Sequence, residues 1–378
     1  MILHSISLRD FRNIEAADIV FSKDTTVLLG ENAAGKTNAV EAIYIFSRGR
    51  GFRSSGDSEL VRFGCGGYFA EMEFERGGRK IKLSQNYRED VGGRRKRRLK
   101  NGARITAAEL IGQFNAVLFT PDHLSILRGA PAERRSFIDA AISTVDRIYF
   151  ERLCRYDKLS SERAALLRAA HEGEMIDRSL LSVYGSQMAT LAAAIHVARR
   201  EYIAELSSVA ADFDESLSDG REILSIGYVN DAATHDEEPS EEELRSRYER
   251  LFSENLTREI GAGRNLFGVG RDDLAVDING RTTRDFGSQG QIRSAVLSLK
   301  LAEGELAYRR TGERPVYLLD DVLSELDARR RDFFFRGCTG QTVITSCERM
   351  PESAYVGADG ERVVKIYSVA GGKFEELS

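Results

Sequence analysis

Paired cysteines are missing from this chain. Its four, Cys65, Cys154, Cys338 and Cys347, are scattered through 378 residues with no C-x-x-C spacing. That argues against a disulfide framework or a structural zinc site and fits a reducing compartment. An excess of positive charge is missing too: 54 Lys and Arg stand against 59 Asp and Glu, a net charge of -5. The whole molecule is no polycation, so any nucleic-acid contact has to come from a local patch. No apolar run of about 18 residues stands out, and Met1 to Leu8 alternates like a strand instead of joining a basic segment to an apolar core. The expectation is a cytoplasmic protein without a membrane partner or a signal peptide. The length suggests two or three domains and leaves ample chain for a large core.

What is present begins with Gly30-Glu31-Asn32-Ala33-Ala34-Gly35-Lys36-Thr37, which fits the P-loop pattern G-x-x-x-x-G-K-[ST] at every fixed position. Thr25 to Leu29 before it reads as a buried strand, and Asn38 to Phe46 after it carries apolar residues at helical spacing. Strand, glycine loop and helix are the context the motif requires. A bare loop lets successive N–H groups surround phosphate oxygens, and the helix N-terminus adds partial positive charge. Lys36 can reach the β and γ phosphates of ATP, and the Thr37 hydroxyl can ligate Mg²⁺. Downstream, Pro315 to Asp321 is an apolar strand ending in two acids. In P-loop enzymes such a strand delivers its first carboxylate, Asp320, to Mg²⁺. Asp321 can orient or deprotonate the attacking water.

Other stretches admit two readings each. Arg12, between the strands Ile2 to Leu8 and Ala17 to Phe21, is either a charged turn residue or a group that approaches the nucleotide. From Arg79 to Arg104 eleven Lys or Arg face only Glu89 and Asp90. The densest part, Arg94, Arg95, Lys96, Arg97, Arg98 and Lys100, is followed by an Asn101-Gly102 turn. This basic hairpin is either a solvated face or a reader of phosphate backbone. Only Tyr87 interrupts it, so base stacking is not indicated. Pro131 to about Leu217 is helical, with a turn at His171-Glu172-Gly173. A seam of Leu180, Tyr184, Met188, Leu191, Ile195, Ala198 and Tyr202 follows. The two helices either project as an arm or pack as a bundle. Asp231 to Glu243, with Asp236, reads as an acidic surface linker. Ser288-Gln289-Gly290-Gln291 opens a helix, as an ordinary N-cap or a second anion site.

The order of P-loop, long insertion, Ser-Gln-Gly-Gln helix start, double-acid strand and Leu323-Ser324-Glu325-Leu326-Asp327 turn resembles the SMC branch of the ABC-type ATPases. Finer wording is similar to the RecF family of bacterial recombination mediators. The strings are Leu8 to Asn13, Lys36-Thr37-Asn38 with Glu41 to Tyr44, Lys100 to Gly102, Phe119 to Leu124, Arg134 to Asp139, Arg271 to Leu274 and Phe286 to Gln291. The chain departs at Val269-Gly270, where Pro-His is expected, at Ile292 in place of a second glutamine, and at Cys347, where threonines are usual.

The resemblance implies an α/β ABC-type head, residues 1–130 plus 262–378, interrupted by a helical arm, 131–261. Gly30 to Asn38 and Arg12 would bind nucleotide. Ser288, Gln289, Gly290 and Gln291 of one subunit would cap the γ-phosphate held by a second, so that ATP drives a homodimer. It implies a weak ATPase that gates a clamp on duplex and single-stranded DNA at gap junctions, with RecR and RecO as partners and RecA assembly as the outcome. Asp122 falls where relatives place a loop residue near the attacking water. The alternative is the ATP-driven motor subunit of a membrane transporter.

Overall fold

The computed structural model describes residues 1–90, 93–234, 237–349, 355 and 363–377; Asp236 of the acidic linker lies outside them. In chain order the first strands are β1 (Ile2–Phe11), β2 (Ile14–Val20), β3 (Thr25–Leu29), β4 (Gly67–Arg76), β5 (Arg79–Asp90), β6 (Gly93–Lys100), β7 (Ala103–Ile105) and β8 (Ala116–Phe119). Next come β9 (Leu224–Val229), β10 (Asp273–Ile278) and β11 (Arg281–Thr282), and last β12 (Val316–Asp320), β13 (Thr342–Ser346), β14 (Val364–Ala370) and β15 (Lys373–Leu377). The chain divides into two compact units, Met1–His123 with Ser294–Ser378, and Leu124–Arg293.

The first unit holds two six-stranded sheets. One is a meander in the order β2-β1-β4-β5-β6-β7; the other runs β15-β14-β3-β13-β12-β8 and is parallel except for its edge strand β15. Residues of the parallel strands read as continuous apolar runs because both faces are covered: Val316 to Asp320 and Thr342 to Ser346 are buried throughout. The meander alternates instead, with Tyr68, Ala70, Met72 and Phe74 of β4 buried and the residues between them half-buried. The helix Lys36–Arg48 lies between the sheets and touches strands of both. Its Val40, Ile43 and Phe46 join Leu8, Phe11, Leu118 and Leu318 in one core. The topology puts the P-loop after β3 and the two acids at the end of β12, Asp320 its last residue and Asp321 the next, at the carboxyl edge of the same sheet, where open α/β sheets bind ligands.

The inserted unit is built on the helices Arg147–His171 and Arg178–Ser218, joined through Gly173 at φ 94°. An 18-residue window of the second helix is apolar enough to cross a membrane by length and composition, contrary to the reading that no such run exists, but 56% of that window is buried. The buried stripe runs Leu181, Gly185, Met188, Ala192, Ile195, Arg199, Tyr202 and Leu206. Leu180, placed on the seam by spacing, is exposed. Met188, Ile195 and Tyr202 are shared with the predicted seam, and the member an apolar count misses is a cation, Arg199. Arg199 is buried and pairs with Asp139 and Asp272 at 2.8 and 2.6 Å. Arg134 grips Asp273 with two bonds of 2.6 and 2.8 Å. The strings Arg134 to Asp139 and Arg271 to Leu274 are thus two halves of one buried ion network, in which each charge has a partner. The unit also carries a three-stranded sheet, β11-β10-β9, beside the expected helices. It forms because the alternating apolar residues Leu224 and Ile226 register with Ile278 and Val276. Glu241–Glu254 starts with a Ser240–Glu243 capping box and buries Leu244, Tyr248 and Phe252 at helical spacing,.

His196 on the long helix is buried, and its Nδ1 lies 3.1 Å from the Tyr248 hydroxyl. Burial, then Arg200, Arg199 and Arg247, push its pKa from 6.5 down to about 4. The folded state therefore holds fewer protons than the unfolded chain between those values, and stability falls as pH drops through that window. The expected loss is about 3 kcal/mol at completion. Asp272, raised to about 6 chiefly by burial, acts with the opposite sign, so a comparison at fixed Asp272 is needed. Thermal unfolding followed by circular dichroism at pH 7 and pH 5 should show His196→Gln losing less stability toward pH 5 than the wild type, or gaining some, because the Asp272 contribution is then unopposed,. Equal slopes would remove His196 from this account.

Candidate nucleotide site and basic sheet face

The P-loop is held open by its neighbours. Gly35 has φ 119° and precedes the helix at Lys36, a backbone state that glycine supplies without strain. A Cβ there would also stand 3.0 Å from Asn13 Oδ1. The Ala33 carbonyl accepts from Asn13 Nδ2 at 3.0 Å, and the Ala34 carbonyl from the Gly372 N–H at 2.7 Å. The Ala33 and Ala34 carbonyls are thus occupied, and the N–H groups of the first helical turn have no carbonyl ahead of them, the arrangement that binds phosphate at a helix N-terminus. Asn38 Nδ2 donates to Asn13 Oδ1 at 2.7 Å and extends the same brace.

Lys36 is bent back on the loop, donating to the carbonyls of Gly30 at 2.7 Å and Glu31 at 3.0 Å and to Cys347 Sγ at 3.4 Å. Thr37 Oγ1 donates to Asp320 Oδ1 at 2.8 Å, and Thr345 Oγ1 donates to the same oxygen at 2.9 Å. Burial raises the Asp320 pKa, the two hydroxyls oppose the rise, and Asp321 adds to it. Asp321 has φ 53°, and its N–H donates to Thr345 Oγ1 at 2.9 Å. Thr345 on β13 therefore fixes both acids of the neighbouring strand. Cys347, one residue past β13, donates to Asn32 Oδ1 at 3.0 Å and lies 3.8 Å from Asp321 Oδ1.

Lys36, Thr37, Asp320 and Asp321, far apart in sequence, are one cluster at the carboxyl edge of the parallel sheet. Thr37 and Asp320 supply adjacent hydroxyl and carboxylate oxygens, the hard donors that suit Mg²⁺, which usually takes only one or two protein ligands beside phosphates and water. Among the described residues no larger group of His, Cys, Asp or Glu gathers as a metal site. Arg12, at φ 54°, donates to the buried Glu41 at 2.9 and 3.2 Å. Arg53 shares that carboxylate at 3.3 Å and reaches Asn38 Oδ1 at 2.5 Å. The spacing of single residues gave no sign of Arg53 or Asn13. Cys347 had a legible signal, since it follows its strand as Asp321 follows its own.

Asp122 is exposed on the short turn Pro121–Leu124 of the chain. Ser288 to Gln291 belong to the inserted unit and form a capping box: Gln291 N–H donates to Ser288 Oγ at 3.2 Å, and Ser288 N–H to Gln291 Oε1 at 3.0 Å,. They open the helix Gln289–Thr311.

The basic run divides by strand alternation. Lys96 turns inward to Asp57 at 2.5 Å, Arg98 to Gln85 at 3.1 Å and Lys100 to Gln113 at 2.7 Å. Burial lowers the pKa of Lys96 and Arg98. Arg95 and Arg97 are exposed on the other face, and Arg94 pairs with Glu89 at 3.0 Å.

Comparison with known proteins gives a consistent result. The family described as the RecF/RecN/SMC N-terminal domain matches residues 2–369. A DNA replication and repair protein RecF of Limosilactobacillus fermentum is 35% identical over 361 residues, covering 92% of each chain. That of Clostridioides difficile is 33% identical over 379 residues, covering 98% of this chain and 97% of its own. Among solved structures, the recombination mediator protein RecF with ATP in the RecFOR pathway superimposes with a TM-score of 0.89 at 32% identity, over 100% of this chain and 98% of the other.

Proposed function

The chain belongs to the RecF family of DNA replication and repair proteins, an ABC-type ATPase of the SMC branch, and from that premise we propose that it is an ATP-switched DNA clamp. The observation that carries the reading is the cluster of Lys36, Thr37, Asp320 and Asp321 at the mouth of an open P-loop. The transporter alternative finds no support among the relatives.

In the proposed cycle the loop N–H groups and Lys36 bind the phosphates of ATP, and Lys36 exchanges the carbonyls of Gly30 and Glu31 for phosphate oxygens. Gly30 to Asn38 line the nucleotide, and Arg12 supports that side through Glu41 and Arg53, which reaches Asn38. Thr37 and Asp320 would hold Mg²⁺, which when bound supplies charge neutralisation at the phosphates. Asp321 takes the proton of the attacking water. Ser288, Gln289, Gly290 and Gln291 of a second copy cap the γ-phosphate, so a heterologous pair of sites closes with two-fold symmetry. Hydrolysis removes the shared anion and opens the dimer. Slow turnover makes this a switch and not a motor. The P-loop and the two acids lie in the unit of residues 1–123 with 294–378, the proposed ABC-type head, and Ser288 to Gln291 lie in the inserted unit, residues 124–293. In the cytoplasm, the clamp would act at gaps between duplex and single-stranded DNA with RecR and RecO, assisting RecA assembly.

The exposed part of the basic run is the DNA contact, and its inward part is structural. Arg95→Glu with Arg97→Glu should weaken duplex binding and lower the salt slope by about two. Lys96→Gln should disturb thermal stability more than the slope. Fluorescence anisotropy of labelled duplex across a salt series, in ATP, decides it. An unchanged slope in the double variant would return the hairpin to a solvated face.

A further inference from the structure

We propose that Phe63 is a stacking platform for an unpaired DNA base, set at the end of an arginine row that holds the adjoining phosphates; this rests on the DNA-binding reading above. Phe63 is 101% exposed, yet the turn that carries it is well fixed. Cys65 N–H donates to the Arg62 carbonyl at 3.0 Å, and Gly64 takes φ 83°, the left-handed state that glycine adopts freely. On the near side, Arg62 N–H donates to the Asp10 carbonyl at 2.8 Å, and its guanidinium reaches Asp10 at 3.4 Å and Glu15 at 3.0 Å. Val61 bridges to Phe11. An aromatic ring held in water on a pinned turn is poor use of a large apolar group unless something covers it, and a nucleobase is a natural cover because every base has a π-face.

The second observation is charge. A hydrogen bond of 2.8 Å from Glu89 N–H to the Gly66 carbonyl joins this turn to β5. There Arg88 stands opposite Arg95; further along, Arg97 stands opposite Asn86, and Arg104 opposite Leu99. All four arginines share the register that faces away from Lys96, Arg98 and Lys100. Among the described residues none of the four has a carboxylate within ion-pair distance, whereas the nearby Arg62 and Arg94 are both neutralised.

Together the features discriminate. An arginine row binds phosphates whatever the sequence. A ring beyond its end needs a base that is not already stacked, and a gap supplies one where continuous duplex does not. The surface is therefore suited to the junction of duplex and single strand.

The chain contains no tryptophan, so Phe63→Trp places a single emission reporter at the ring position. The probes are a blunt duplex and the same duplex interrupted by a gap of thymines, each with ATP and Mg²⁺. We expect the gapped DNA to quench the emission of Phe63→Trp and the blunt duplex to leave it nearly unchanged. We expect Phe63→Ala to lose about ten-fold in affinity for gapped DNA and less than about two-fold for blunt duplex. If Arg95→Glu with Arg97→Glu weakens both DNAs but neither Phe63 variant separates gapped from blunt, the stacking role is wrong and the DNA reading stands. If the charge reversal changes neither affinity, this face is not the DNA contact, and the proposal falls with it.

Discussion

Lys36→Met should lower ATP affinity by about two orders of magnitude, the scale of losing charge-assisted bonds to phosphate inside a site built for them. The ammonium is already in the loop, turned onto the carbonyls of Gly30 and Glu31, so its reach is set by the helix start and not by a surface side chain finding its way in. Methionine keeps the apolar stem and removes the charge. Titration with a fluorescent ATP analogue reads the loss, and circular dichroism checks that the freed carbonyls have not cost the fold. Affinity within about three-fold of wild type would mean that the loop N–H groups alone hold the phosphates.

Asp321→Asn should retain ATP binding and lose hydrolysis by a factor of about 10² to 10⁴, the usual worth of a positioned general base. The substitution is backbone-neutral for a specific reason: Asp321 sits at φ 53°, and asparagine is among the few residues that tolerate that region. The N–H bond to Thr345 Oγ1 is made by the main chain and survives. What changes is one carboxylate oxygen near Cys347. Phosphate release under single-turnover conditions measures the effect, and turnover at the wild-type rate would assign the base elsewhere.

The P-loop and the double-acid strand were legible because each is a contiguous string whose flanks have the right periodicity. The reading of the parallel strands followed from the apolar runs at Thr25 and Pro315. Contacts that join distant strings were not legible. Arg12 and Arg53 meet on Glu41 only after the meander folds over the helix Lys36–Arg48. Arg199 entered the seam of the long helix because Asp139 and Asp272 arrive from elsewhere to neutralise it, and an apolar count skips a charged residue. The pairing of β9 with β10 spans more than forty residues, beyond what alternation in either strand can announce. The basic run was partly legible: a period of two already separates Arg95 and Arg97 from Lys96, Arg98 and Lys100. Only the structure shows which set has partners. Phe63 gave no signal, since a lone aromatic in a loop is ordinary until its exposure and the rigidity of its turn are known.

The most direct test of the clamp is the oligomeric mass of the wild type, Asp321→Asn and Ser288→Arg by light scattering, with and without ATP and Mg²⁺, each with and without gapped duplex DNA. The account predicts a monomer without nucleotide, a dimer in ATP that DNA favours further, a longer-lived dimer for Asp321→Asn and none for Ser288→Arg. A mass that stays the same in all conditions, with ATP bound, would contradict the shared site and leave a P-loop ATPase whose missing half comes from a different protein.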